Sequence, residues 1–281
     1  MHQTFEQIMK HVASSASLIV HSFGWIYLLL LLSINVEAWQ PTHSQLPTCH
    51  RGTQGRLFLD TADSKVWDEL MPLGIFHGIT CNPTLLERAK QPCTVSNLHY
   101  LAKTAFSFSS LAGQPCCHEF MCQAWGSTAQ EMFDIGMQLS QPDRDRIVIK
   151  VPVTTMGTQA AAMLIQANVR VCLTACYSSR QAIVAAGVGA EYLAPYLGRM
   201  NDNGKDGLQE CQAMEEIVRG MGSSTRILVA SIRSVDSMAQ LMQSHKMDTF
   251  TFNPDVAREL FSEPLTLTAA EEFEEAARRN Q

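Results

Sequence analysis

In Arg146-Ile147-Val148-Ile149-Lys150-Val151-Pro152 the residues between the flanking arginine and proline are apolar and β-branched apart from one lysine. It reads as a strand buried on both faces, the kind that helices cover in a parallel sheet. Helical character follows over 157–167, and a second apolar run, Val169-Arg-Val-Cys-Leu-Thr174, comes next. Strand, helix, strand with short connections predicts a right-handed parallel unit. Lys150 is the anomaly in this run. Burying an ammonium in apolar surroundings is costly, so a lysine placed there tends to lose its proton and become a nucleophilic amine. That is the form needed to make a Schiff base with a carbonyl. A lysine that snorkels at a strand end or pairs with a carboxylate is the competing reading.

Further strands are expected at 57–60, 78–81, 119–123, 192–195, 226–230 and 249–252, with helical segments at 127–139, 179–186 and 208–221. Eight strand-helix repeats in roughly 225 residues predict an α/β fold, a (β/α)₈ TIM barrel, which typically needs about 250 residues. A doubly wound open sheet uses the same alternation and stays open at this point. The Glu-rich tail, 265–281, reads as an additional C-terminal helix outside the barrel. Strand after strand ends in a residue able to do chemistry: Asp60, Thr80 with Asn82, Gln123, Lys150, Thr174, Tyr196 with Arg199, and Ser231 with Arg233. In a parallel barrel these ends share one face, where barrel active sites sit.

The chain has 281 residues, 46% of them hydrophobic, and a net charge of −6. No basic run or aromatic-basic stripe is present, so nucleic acid is not an expected partner. Nine cysteines form no CxxC pair and have no histidine at ligand spacing, which favours reduced thiols over disulfides or zinc. No metal site is expected. Gly187-Val-Gly189 follows a helix and reads as a helix-to-strand turn, not a dinucleotide loop. Asp202, Asn203 and Asp206 read as solvated turn residues.

The N-terminus differs in kind. Residues 12–36 contain no Asp, Glu, Lys or Arg, and Leu28 to Leu32 is an unbroken leucine run. Val36-Glu37-Ala38 supplies small residues at −3 and −1 of a signal-peptidase site, and residues 39–59 are free of acidic residues, as transit peptides are. This succession resembles the bipartite presequences of algae with secondary plastids. Residues 1–55 are therefore expected to be a removable targeting presequence, with the plastid as destination and no stable membrane association after processing. The apolar run is also long enough for a retained membrane anchor. Residues 56–281 are expected to form one catalytic barrel domain, assembling as a homo-oligomer.

At its strand ends the chain resembles the transaldolase family, in particular the small branch containing fructose-6-phosphate aldolases. The stretches that carry the resemblance are Phe58-Leu-Asp-Thr-Ala-Asp63, Gly78-Ile-Thr-Cys-Asn-Pro-Thr84, Ile149-Lys-Val-Pro-Val-Thr154, Leu173-Thr-Ala175, Leu193-Ala-Pro-Tyr-Leu-Gly-Arg199 and Ala230-Ser-Ile-Arg233. The resemblance implies a (β/α)₈ barrel, a sugar-phosphate substrate and no metal or organic cofactor. It implies that Lys150 forms the Schiff base and that Asp60 moves the proton of the C4 hydroxyl. Asn82 and Thr174 would orient substrate hydroxyls or the lysine, and Thr80 would help hold a water. Arg199, Ser231 and Arg233 would clamp the phosphate. Gln123 and Tyr196 match the aldolase branch, whereas transaldolases usually place Glu and Phe there. The first expectation is thus cleavage or formation of fructose 6-phosphate from dihydroxyacetone and glyceraldehyde 3-phosphate. The alternative is a transaldolase moving a dihydroxyacetone unit between sugar phosphates, and a third is a catalytically silent barrel.

Overall fold

The computed structural model describes residues 55–110, 113–245 and 247–281. The expected presequence, its apolar run and its cleavage site lie outside the described residues. Strands and helices alternate from the start: β1 (Arg56–Asp60), α1 (Ser64–Leu70), β2 (Gly78–Thr80), α2 (Pro83–Arg88), α3 (Val95–Phe106), β3 (Glu119–Gln123) and α4 (Ala129–Ser140). The second part continues with β4 (Ile147–Pro152), α5 (Thr155–Gln166), β5 (Arg170–Cys176), α6 (Gln181–Val188), β6 (Tyr192–Pro195) and α7 (Leu197–Asp202). Then come α8 (Gly207–Gly220), β7 (Arg226–Ile227), α9 (Val235–His245), β8 (Thr249–Phe252), α10 (Pro254–Glu259) and α11 (Pro264–Arg279).

All neighbouring strands pair in parallel, in the order β7-β6-β5-β4-β3-β2-β1-β8. Closure comes just beyond β7. The Val229 N–H donates to the Thr249 carbonyl at 3.0 Å, and the Thr251 N–H donates to the Val229 carbonyl at 2.9 Å. This contact between Val229 and β8 removes the open-sheet alternative: the fold is a (β/α)₈ TIM barrel with an additional C-terminal helix. It also explains why β7 is shorter than the run 226–230. After Ile227 the pairing continues only as isolated bridges, Ala230 with Tyr196 on one side and Val229 with Phe250 on the other.

Local chemistry sets where the helices start. Asp63, Asn82, Thr94, Thr154, Asp206 and Asn253 each accept a backbone N–H from the first turn of the following helix. Thr128 and Glu131 form a reciprocal capping box at the start of α4. α6 runs on through Gly187 and Val188, and Gly189, left-handed at φ 77°, caps it and opens the turn toward β6. Asp206 serves as the cap of α8, a more specific role than a solvated turn residue.

Strand side chains alternate between the inside of the barrel and the layer under the helices. Phe58, Met121, Val148, Cys172, Tyr192, Ala194 and Leu228 fill the interior, separate from the larger core between strands and helices. Burying a side chain of this size stabilises by about 1.5–3 kcal/mol. The rings of Phe58 and Tyr192 meet edge to face at 6.2 Å.

Below this layer, at the N-terminal ends of the strands, charged side chains close the barrel. Glu119 is 5% exposed. It accepts from Arg170 Nη2 at 2.7 Å, from Arg56 Nη1 at 3.1 Å and from the Tyr192 hydroxyl at 2.8 Å. Arg56 also bonds the Tyr192 hydroxyl. Burial pushes the Glu119 carboxyl up, but His77 and Arg170 outweigh it and hold the group down at about 2.

Candidate active site

Alternation along the strands decides which residues reach the opposite, C-terminal mouth. Phe58, Met121, Val148 and Cys172 are interior residues. The side chains two positions later, Asp60, Gln123, Lys150 and Thr174, therefore project inward one layer higher. Register aligns them further, because Asp60 pairs with Thr80 and Gln123 with Lys150. Asp60, Thr80, Gln123, Lys150 and Thr174 thus gather at this mouth.

Lys150 is 2% exposed. Burial pushes its ammonium down, but Tyr196, Asp60, Cys172 and Cys81 push it up, and the net direction is upward. The expectation that burial strips Lys150 of its proton is therefore corrected. The thiols are not the charged partners at neutral pH, because burial raises both and takes Cys172 to about 12. The carboxylate of Asp60 is the anion beside Lys150, and its attraction opposes the proton loss that attack on a carbonyl requires.

Asp60 is itself tied down. Its Oδ1 accepts from Thr80 Oγ1 at 2.6 Å, and Thr80 Oγ1 lies 2.6 Å from Thr251 Oγ1. Both threonines are fully buried. Across the mouth, Thr174 Oγ1 and the Tyr196 hydroxyl are 3.2 Å apart. Tyr196 is flanked by the Tyr177 ring, edge-on at 5.6 Å, and by the Arg199 guanidinium, 4.9 Å from its ring centre. Arg199 also donates to the Tyr177 hydroxyl at 3.4 Å. That bond pushes its already high pKa further up against partial burial, with help from Tyr196 and Asp60.

The remaining expected residues have structural ties of their own. Asn82 caps α2 by accepting the Leu85 N–H at 3.0 Å, which leaves its amide nitrogen as the group able to meet a ligand. Arg233 is exposed and paired with Asp202 at 2.7 Å, so a substrate phosphate would compete with a carboxylate for it. Ser231 adopts a left-handed backbone at φ 58°, and its carbonyl accepts the Gly198 N–H at 2.9 Å. Strained backbone of this kind costs about 1–3 kcal/mol and gathers at functional sites. Ala175, at φ 56° in the irregular end of β5 between Leu173 and Cys176, is a second instance on the same rim.

Thr251, Asn253 and Tyr177 were not foreseen. The signal for the first two was present: Thr251-Phe-Asn-Pro254 at the end of β8 repeats Thr80-Cys-Asn-Pro83 at the end of β2. In both copies the threonine reaches the Asp60 chain and the asparagine caps the next helix. Tyr177 carried no signal, since a tyrosine after a strand is commonplace. Among the described residues, no group of three or more His, Cys, Asp or Glu is placed to hold a metal ion.

Comparison with known proteins agrees with this arrangement. A protein described as probable transaldolase from Caulobacter vibrioides is 29% identical over 218 residues, covering 78% of this chain and 94% of its own length. Proteins with the same description from Kosmotoga olearia and Chelativorans sp. are 30% and 31% identical over the same shares. The family model described as Transaldolase/Fructose-6-phosphate aldolase matches residues 57–281, which spans all eight strands and the mouth they build. This chain belongs to the transaldolase/fructose-6-phosphate aldolase family and is an enzyme of aldolase-type sugar-phosphate chemistry.

Proposed function

We propose that the protein is a Schiff-base transaldolase that moves a dihydroxyacetone unit from a ketose phosphate to an aldehyde acceptor. The observation that carries this reading is Lys150, buried at the mouth within the field of Asp60. Once deprotonated, Lys150 Nζ attacks the ketose C2 carbonyl, and loss of water leaves an iminium. Asp60 takes the C4 hydroxyl proton as the C3–C4 bond breaks, its electrons pass into the iminium, and an aldehyde departs. The three-carbon enamine on Lys150 then adds to an acceptor aldehyde, and hydrolysis frees the new ketose. Arg199, Arg233 and Ser231 are the expected phosphate contacts, where guanidinium forks fit phosphate oxygens. The relatives described as probable transaldolase favour transfer over release.

A second reading, fructose-6-phosphate aldolase, is favoured by one observation. The Tyr196 hydroxyl, bonded to Thr174 and felt by Lys150, is a proton donor able to quench the enamine and release free dihydroxyacetone. Incubating the protein with fructose 6-phosphate, with and without erythrose 4-phosphate, separates the two. Transfer is expected to dominate when the acceptor is present. Release of dihydroxyacetone at the same rate with and without acceptor would establish the aldolase instead. Borohydride added with substrate is expected to fix mass on the peptide carrying Lys150, and Lys150→Arg is expected to be inactive, because guanidinium stays protonated. An active protein with unlabelled Lys150 would end both readings.

Residues 1–55 act, in this proposal, as a removable targeting presequence with the plastid as destination. A homo-oligomer is also part of it, supported by the apolar side chains Leu265 and Phe273 that α11 leaves exposed.

A further inference from the structure

We infer that Thr251 is a positioning residue that sets the protonation of Asp60 through Thr80. The inference rests on the reading of Asp60 as the proton-transfer group. Its basis is proton bookkeeping in a buried chain of three groups. A threonine hydroxyl has one proton to give. Thr80 Oγ1 gives its proton to Asp60 Oδ1 at 2.6 Å while the carboxyl is ionised. The contact between Thr80 and Thr251, also 2.6 Å, must then be donated by Thr251. The chain therefore runs from Thr251 to Thr80 to the Asp60 carboxylate. When Asp60 takes a proton on Oδ1, both hydroxyls must turn over; when it takes one on Oδ2, the chain stays in place but ends on a neutral oxygen, a weaker acceptor than a carboxylate. In either case the chain binds the carboxylate more strongly than the neutral acid, and chains of this kind strengthen one another away from water.

A bland reading of Thr251 is a β-branched residue filling a strand. Its hydroxyl argues otherwise. It is 0% exposed and faces another hydroxyl whose own bond ends on Asp60. The placement is also two-sided: β1 lies between β8 and β2, so the two Thr-x-Asn-Pro turns bracket Asp60. The titratable groups around Asp60 belong to other elements. They are Lys150 on β4, Cys81 just after β2 and Arg199 on α7. None of them belongs to β8, so replacing Thr251 changes the hydrogen-bond chain and no charge.

The test uses Thr251→Val, which keeps shape and loses the hydroxyl, and Thr251→Ser, which keeps the hydroxyl. Thr251→Ala removes the hydroxyl without any demand on space and serves if the valine packs badly. Carbon-13 carboxyl NMR follows the titration of Asp60, with Asp60→Asn identifying the resonance. One net hydrogen bond is worth about 1 kcal/mol, so the midpoint should rise by roughly half to one pH unit in the valine and alanine variants. It should stay in place in the serine variant. The acid limb of kcat/KM should move up by the same amount, and kcat should fall about fivefold with little change in KM. An unmoved midpoint in both hydroxyl-free variants overturns the inference. So does a serine variant that behaves like the valine one, because shape would then be what matters. A shifted midpoint in a protein whose Lys150 is never trapped by borohydride upholds the chain and sinks the Schiff-base reading alone.

Discussion

Tyr196 is held by Thr174 on one side and by the rings and guanidinium of Tyr177 and Arg199 on the other. A phenol so fixed can return a proton to a carbon only if nothing else consumes the enamine first. Tyr196→Phe is therefore expected to lower release of free dihydroxyacetone by about 10²-fold or more, since a positioned acid or base is worth roughly that much. Lys150 trapping should survive, because the hydroxyl acts after the lysine has attacked. Product analysis with and without acceptor checks this. Equal loss of trapping and release would place Tyr196 in substrate binding. At this scale the sequence was most readable where chemistry and strand end coincided, as at Asp60, Lys150 and Tyr196. It was least readable where a partner decides the state of a group. The run around Lys150 contains no acid, so the upward push on its ammonium comes from Tyr196 and from Asp60, both far from it along the chain. Thr251 was hidden for a similar reason. In Thr249-Phe-Thr-Phe252 it reads as ordinary alternation, and only the closed barrel brings its hydroxyl to Thr80.

Elements meet most tightly where α7 begins. A Cβ added to Gly198 would lie 2.3 Å from the Ser231 carbonyl oxygen and 2.7 Å from Arg233 Nε. The Gly198 N–H also bonds that carbonyl. The glycine thus lets the first turn of α7, which carries Arg199, rest directly on the segment after β7, which carries Arg233. Gly198→Ala is expected to destabilise by about 1–3 kcal/mol, the usual cost of forcing extra atoms into a packed site. It should also raise KM for phosphorylated sugars more than for unphosphorylated aldehydes. Urea midpoints and KM values for the two substrate types measure both effects. An unchanged ratio of the two KM values would separate these arginines from phosphate binding. Strand positions were legible from apolar runs, and their ends were not. β5 runs on to Cys176 through a left-handed Ala175, and β7 stops at Ile227, with only isolated bridges at Val229 and Ala230 beyond it. Both departures belong to barrel closure, which no local pattern encodes.

Across the whole molecule, the two ends of the barrel do opposite work. The N-terminal end gathers Arg56, Glu119, Arg170 and Tyr192, and barrel residues at that face serve stability. With its folded pKa near 2, Glu119 contributes stability that is fully present at neutral pH. That contribution begins to fade near the ordinary carboxylate value of about 4.3 and is lost as pH falls further toward about 2. Glu119→Gln leaves Arg56 and Arg170 with the more exposed Glu191 as their remaining anion and is expected to cost about 1.5–3 kcal/mol at pH 7. It should also flatten the acid slope, which urea unfolding at a series of pH values would reveal. A variant with an unchanged slope would assign the acid sensitivity to other carboxylates. From sequence, Glu119 was merely the first residue of a strand, because its partners begin β1, β5 and β6. The stopper they form has a further consequence for traffic. A vessel sealed at its base has one doorway, so the departing aldehyde leaves by the route its successor must use. In the transfer proposed above, donor and acceptor would then take turns, with the order of events imposed by the walls as much as by the chemistry.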